Sequence, residues 1–192
     1  MKKIYTLIIS ICSIFSINAT DYLVSTNYTP GNVTEYQQRF FIPGVTLFSS
    51  ISEVLNQIQP GDNIFLSADT YSENITLDVD NISIFGHNSW KDVRSGKRDT
   101  SNESIITGAI TLNADGITLN GLKFSGAGRV VNTTASNGSP LKNITLKYNL
   151  VEASTLGSST AVFALGKIYS NTDAKADISQ LRYENITISH ND

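Results

Sequence analysis

Sulfur and imidazole side chains are scarce in this chain of 192 residues, which has one cysteine, one methionine and two histidines. With Cys12 as the only thiol, the chain can form neither an internal disulfide nor a cysteine-based zinc site. His87 and His190 lie far apart in the sequence, and neither has a cluster of acidic residues beside it. We therefore expect no metal ion and no cofactor.

Motifs for nucleophilic catalysis and for phosphate binding are also missing. The sequence contains no Gly-x-Ser-x-Gly elbow, no Gly-x-Gly-x-x-Gly loop and no P-loop. The net charge is −3, which argues against a general attraction to nucleic acid.

The N-terminus has the pattern of a secretory signal peptide. Lys2 and Lys3 precede an apolar run over residues 4–17, and Ala19 supplies the small residue before a cleavage site. We expect residues 1–19 to be removed and the mature protein to be secreted, or held at the cell surface or in the periplasm, with no membrane span left after cleavage. Cys12 follows Ile11 rather than a small residue, which disfavours a lipid anchor.

A thirteen-residue pattern occurs twice, at residues 74–86 and 109–121, with an offset of 35 residues. In each copy apolar residues alternate with Thr or Ser, as in a half-buried strand, and turn-forming residues separate two short strands. Two further copies of the second strand occupy residues 143–149 and 185–191, where Asn stands near the position of the earlier Gly. Short strands repeated without intervening helices favour an all-β fold, a parallel β-helix (solenoid) whose loops differ in length.

Several of these segments resemble the right-handed parallel β-helix proteins of the pectate-lyase (pectin lyase-like) type and, more distantly, alginate and chondroitin lyases. The resemblance extends from Thr46 to the end of the chain, and its motifs are residues 60–66 (PGDNIFL), 70–71 (TY), 81–86 (NISIFG), 104–112 (SIITGAITL) and 116–124 (GITLNGLKF). It implies a right-handed β-helix and an extracellular polysaccharide as partner. The catalytic bases of those lyases lie on later coils, and no motif for them is matched here.

The remaining segments are assigned from this fold. Residues 20–45 are expected to form an N-terminal extension packed along the wall, and residues 46–192 a capping helix followed by a partial β-helix. Leu47, Ile51, Val54, Leu55 and Ile58 lie on one face of the predicted capping helix, with Ser49 or Ser50 as N-cap. Because the sequence ends within a repeat, we expect a C-terminal truncation and self-association through the uncapped last coil.

Calcium is the one metal for which the sequence offers candidates. Asp78 and Asp80 lie close together, Asp115 repeats Asp80, and carboxylates on such a wall can hold Ca²⁺. Aspartate is also an ordinary turn residue, and we prefer that interpretation.

Residues 87–103 form the most unusual insert, and they carry the candidate binding residues Trp90, Lys91, Arg94, Lys97 and Arg98. An aromatic, cationic loop on an acidic protein suits an anionic sugar polymer, through stacking and ion pairing. The alternative is a solvated loop with no ligand.

These observations predict a secreted protein that binds, or helps to process, an extracellular and anionic polysaccharide, without catalysis in these residues. One alternative is a cell-surface adhesin or structural repeat stalk. Another is a polysaccharide lyase, in which Lys123, Arg129 or Lys147 would offset the charge of the substrate.

Overall fold

The computed structural model describes residues 19–27, 46–126, 131–133, 141–153, 163–164 and 184–192. Nearly all of the predicted signal peptide, including Cys12, lies outside these ranges.

The described residues form short strands in three parallel sheets and one α-helix, so the chain is all-β in class. Sheet A contains β1 (Asp21–Val24), β2 (Leu47–Phe48), β3 (Asn63–Leu66), β6 (Ser83–Phe85), β9 (Thr118–Asn120), β12 (Thr145–Lys147) and β15 (Thr187–Ser189). Sheet B contains β4 (Thr70–Tyr71), β7 (Ile105–Ile106), β10 (Lys123–Gly126) and β13 (Leu150–Ala153). Sheet C contains β5 (Ile75–Leu77), β8 (Ile110–Leu112), β11 (Val131–Thr133) and β14 (Phe163–Ala164).

From β3 onward, successive strands belong to sheets A, B and C in constant rotation, and each pairs in parallel with the strand three places later. The register agrees with the sequence repeat. Ile75 is the partner of Ile110, and Ile84 is the partner of Leu119. The later copies follow the same rule, because Leu119 pairs with Leu146 and Leu146 with Ile188. The two strands predicted for each copy are thus present, and a third strand lies between them and the next copy.

The core is one apolar cluster to which all three sheets contribute. Alternation along each strand sends one side chain inward and the next outward, as period-2 geometry requires. In sheet A the inward row is Ile64, Ile84, Leu119 and Leu146, all fully buried. Ile188 continues this row but is 52% exposed, because no described strand lies beyond β15. Ile188 therefore keeps the inward register of this row, but its side chain is not buried.

Helix α1 (Ile51–Leu55) packs beside the first strands, against β2 and β5. Ser50 is the N-cap, and its hydroxyl accepts a hydrogen bond from the Glu53 amide. The Glu73 carboxylate accepts two more, from the amides of Ile51 and Ser52, at 2.9 Å each. These bonds satisfy amide groups that a helix leaves unpaired in its first turn.

The prediction for this helix was correct for Ile51 and Val54, which are helical and buried, and for Leu55, which is helical and half-buried. Ile58 is buried but lies beyond the end of the helix. The prediction was wrong for Leu47, which lies in β2 and pairs with Leu23. Two strand residues followed by a tight turn precede the helix, so the helical spacing of Leu47 was accidental.

Part of the predicted N-terminal extension is a member of sheet A. Strand β1 lies between β2 and β3 and pairs with both in parallel. Residues 21–24 are thus a strand of sheet A rather than a segment packed along the outside of the sheet.

Residues with positive φ precede the sheet A strands from β6 onward and follow β9, β12 and β15. Before these strands stand Asn81, Gly116, Asn143 and Asn185, with φ between 56° and 72°. After them stand Gly121, Tyr148 and His190, with φ between 55° and 72°. Asn149 and Asn191, which stand near the position of the earlier Gly, follow the left-handed residues Tyr148 and His190 by one position.

Asn149 and Asn191 instead form a ladder inside this corner. The Asn149 side-chain amide donates to the Leu119 carbonyl at 3.1 Å and to the Asn191 side-chain oxygen at 3.0 Å. The Asn191 amide donates to the Leu146 carbonyl at 2.9 Å. Each layer therefore satisfies backbone groups of its neighbour that the strand pairing leaves open.

Asp80 and Asp115 form a similar ladder at the opposite corner. The Asp80 carboxylate accepts a hydrogen bond from the Asp115 amide, and the Asp115 carboxylate accepts one from the Lys142 amide, at 2.9 Å in both cases. Their structural role is thus to link turns of successive layers.

Candidate functional site

The insert at residues 87–103 leaves the end of β6 and returns at β7, so it spans the corner between sheets A and B. Asn88 links the first residues of the insert to its last residues by hydrogen bonds. The fully buried Asn88 side chain donates to the carbonyls of Asp99 and Asn102, both at 2.9 Å, and accepts from the Asp99 amide at 3.1 Å. Hydrogen bonds from Ser101 and Asn102 lower the pKa of Asp99 to about 2. The insert is therefore pinned at its two ends.

Trp90 folds back from the insert over the outer face of sheet A, defined as the face turned away from the core. Its ring stacks on Phe85 with 5.1 Å between ring centroids, and Phe85 stacks on Phe65 with 5.2 Å. Its backbone amide donates to the side-chain oxygen of Asn120 at 3.0 Å, and its φ is 61°. Trp90 nevertheless remains 62% exposed. The result is a row of three rings that ends in an exposed indole.

Arg98 has a different role from the one the sequence predicted. Its side chain is only 1% exposed and forms a two-pronged ion pair with Glu103, with both N–O distances 2.7 Å. It also donates to the carbonyls of Tyr148 at 2.5 Å and Leu122 at 3.1 Å. The expectation that Arg98 is a surface cation outside the core was wrong. Arg98 ties the insert to two later layers.

The other predicted cations lie toward solvent. Arg94 and Lys97 are exposed, and Lys91 is half-buried. Residues Val93–Ser95 form a single 3₁₀ turn, begun by Asp92, whose carboxylate accepts from the Arg94 amide at 2.9 Å. The Arg94 guanidinium lies 3.6 Å from the same carboxylate, a contact too long and too exposed to hold it firmly. The insert thus presents Arg94 and Lys97 as accessible charges.

The outer face of sheet A continues this surface in two columns, read from the strand register. One column holds Phe65, Phe85, Asn120, Lys147 and Ser189. The other holds Asn63, Ser83, Thr118, Thr145 and Thr187. Hydroxyl and amide groups therefore flank the aromatic row, and Lys147 lies one strand beyond Asn120.

The sequence analysis missed the supports of Trp90. Phe65 stands between two inward residues and Phe85 follows the inward Ile84, so their outward position follows from the same alternation that predicted the core. Two outward phenylalanines in strands that pair in register were a sufficient signal.

The two described cations among those considered for a lyase lie on different sheets. Lys123 lies on sheet B and pairs with Glu152 at 2.9 Å, Lys147 lies on sheet A, and Arg129 is outside the described residues. Within the described ranges, no three His, Cys, Asp or Glu side chains are placed to hold a metal ion. In the same ranges, no helix has the length and apolar composition needed to cross a membrane.

Comparison with known proteins adds no relative. No protein-family model matches the chain, and neither a curated protein nor a solved structure matches it.

Proposed function

We propose that the protein is exported, folds as a right-handed parallel β-helix, and binds an anionic extracellular polysaccharide on the outer face of sheet A. The constant rotation of strands through three parallel sheets and the single shared core support the β-helix. The right-handed sense follows the strong preference of parallel crossover connections.

Trp90 is the observation that carries the binding proposal. Trp90 leaves 62% of its surface in water, so burial stabilises it less than a core side chain, yet it is fixed by ring stacking and by a backbone hydrogen bond. A rigid, exposed aromatic ring loses little conformational entropy when a flat ligand stacks on it. The apolar face of a pyranose ring has the shape and chemistry for that contact.

The charges around Trp90 favour an acidic sugar. Arg94 and Lys97 are exposed on the insert, and Lys147 lies on the same outer face two strands from Phe85. Carboxylate or sulfate groups on successive sugars would pair with them, an attraction that salt weakens over a screening length of about 8 Å at physiological ionic strength. Because the protein as a whole is acidic, this local excess of positive charge also gives the surface selectivity.

The test is binding of alginate, pectate and a sulfated glycan, measured by calorimetry at two salt concentrations. We expect Trp90→Ala to weaken binding by at least about tenfold, equivalent to about 1.4 kcal/mol. The double variant Arg94→Ala/Lys97→Ala should weaken it at low salt and lose most of that effect at high salt.

Lys142→Ala is the matched control, because Lys142 is a partly exposed cation that is paired with Glu184 and precedes β12, at the end of sheet A opposite to the insert. It should bind like the wild type. If none of the three polyanions binds the wild-type chain, or if Lys142→Ala weakens binding as much as the double variant does, the proposal fails and the adhesin or stalk alternative takes its place.

A further inference from the structure

A second concave site lies over the outer face of sheet B, away from Trp90. It is a cleft of about 260 Å³ with strand residues Thr70, Ile105 and Lys123 as its floor. These three residues are neighbours in register on β4, β7 and β10. The cleft is also lined by Asn27, in the turn after β1, and by Thr100 and Ser101, near the end of the insert.

The carboxylates that reach this cleft are already engaged within the protein. Asp69 accepts hydrogen bonds from the hydroxyls of Ser25 and Ser67, from the Thr26 amide and from the Asn27 side chain. Glu103 is held by both prongs of Arg98. Arg98 therefore neutralises Glu103, whereas Asp69 keeps its negative charge, which these hydrogen bonds stabilise but do not neutralise.

The one cation of the cleft is also compensated. The Lys123 ammonium lies 2.9 Å from the Glu152 carboxylate, and Asp69 and Glu103 line the same space. An anion would gain little from Lys123, which is already paired, and would be repelled by the negative charge of Asp69. The surfaces left for a ligand are the hydroxyls of Thr70 and Thr100 and the apolar side chain of Ile105, because the Ser101 hydroxyl donates to the Asp99 carboxylate at 2.6 Å.

We propose that this cleft binds one neutral hexose unit of a saccharide. A sugar ring has hydroxyls around its edge and an apolar C–H face, which matches a hydroxyl rim over an aliphatic floor. The volume is slightly below the roughly 300 Å³ at which sites for drug-sized ligands begin, so it suits a single ring. The site is independent of the polyanion surface at Trp90, and the protein thus distinguishes two kinds of sugar on two faces.

The experiment is titration of the full chain with neutral trisaccharides of glucose, mannose and galactose, followed by saturation-transfer NMR and calorimetry. Thr70→Trp fills the cleft from its floor and should weaken binding of the preferred trisaccharide by at least about tenfold. Thr76→Trp is the matched control, because Thr76 is an exposed threonine in a strand of sheet C. Thr76→Trp should bind normally.

Ser101→Trp fills the cleft from the end of the insert and replaces Thr70→Trp if the latter does not fold. Trp90→Ala should leave neutral-sugar binding unchanged while it weakens polyanion binding, so the two sites succeed or fail separately. The proposal is overturned if no neutral trisaccharide binds at millimolar concentration, or if the cleft-filling variants bind as well as Thr76→Trp.

Discussion

Arg94 and Arg98 belong to the same cationic insert, but the structure gives them opposite environments. Arg94 projects into solvent beside Asp92, whereas Arg98 enters the corner between layers and donates to Leu122 and Tyr148. A guanidinium has five donors in a planar fork, so it can satisfy a carboxylate and two carbonyls at once. The partners of Arg98 lie 5, 24 and 50 residues away, which explains why its burial was not visible in the sequence.

Removing Arg98 should therefore destabilise the fold. In Arg98→Ala the Glu103 carboxylate stays buried without its partner, a situation that typically costs about 3–5 kcal/mol. Arg94→Ala, the control from the same insert, should change the free energy of unfolding by less than about 0.5 kcal/mol. Urea denaturation followed by circular dichroism measures both. Equal stability of the two variants would contradict the buried clamp.

At the scale of elements, the positions that tolerate the fewest residue types lie in the corners between strands rather than in the strands themselves. Gly121 follows β9 with a φ of 72°, and a Cβ at this position would lie 2.2 Å from the Ser89 amide nitrogen. The insert therefore passes directly over this glycine. Gly96, within the insert, also has a positive φ of 68°, but no atom lies within 4 Å of the position a Cβ would take.

A comparison of Gly96 with Gly121 separates the energetic cost of a left-handed backbone from the cost of steric crowding. Gly96→Ala should cost only the left-handed conformation of alanine, about 1–2 kcal/mol. Gly121→Ala should cost clearly more, because the backbone of Ser89 must move as well, and it should also shift the fluorescence of the neighbouring Trp90. Thermal unfolding with tryptophan emission as the probe measures both effects. If Gly121→Ala is as stable as Gly96→Ala, the backbone of Ser89 moves aside at no energetic cost and the prediction is wrong.

The strands and their register could be predicted from the sequence because equivalent residues of two copies of the repeat are partners in adjacent strands. Residues matched at an offset of 35, such as Ile75 with Ile110, are partners in adjacent strands. The strands of sheet B were harder to predict, since β4 and β7 have only two residues each, too short for any periodicity to show.

For the site, Trp90 was identified by its rarity, whereas Arg98 was assigned to the surface because charge alone does not reveal a distant buried partner.

At the scale of the whole molecule, Asp69 joins the first strand to the rest of the fold. Its partners Ser25, Thr26 and Asn27 follow β1, and Ser67 follows β3. Burial alone would raise the pKa of Asp69, but the hydrogen bonds from Ser67, Ser25 and Asn27 outweigh it and lower the pKa. The charged form is thus the one that the folded protein favours.

The lowered pKa has a defined consequence for acid stability. An unfolded aspartate titrates near pH 3.9, so the stabilisation from Asp69 is complete above about pH 4 and is lost as the pH falls through the lower folded value. Asp69→Asn should be less stable than the wild type at pH 7, by about 1–3 kcal/mol, and the difference should shrink toward pH 3. Denaturation curves between pH 3 and pH 7 test this. The exposed Asp78→Asn is the control, and a constant difference for Asp69→Asn across the range would contradict the assignment.

The bonds that Arg98 makes also bear on mechanical strength. Hydrogen bonds between neighbouring strands point along the direction in which the layers stack. A pulling force in that direction therefore breaks these bonds one layer at a time. Arg98 bonds the insert to the Leu122 and Tyr148 layers together, which forces the opening of one layer to load the next. A protein anchored at one end and loaded through a bound polymer would resist peeling most strongly at this point.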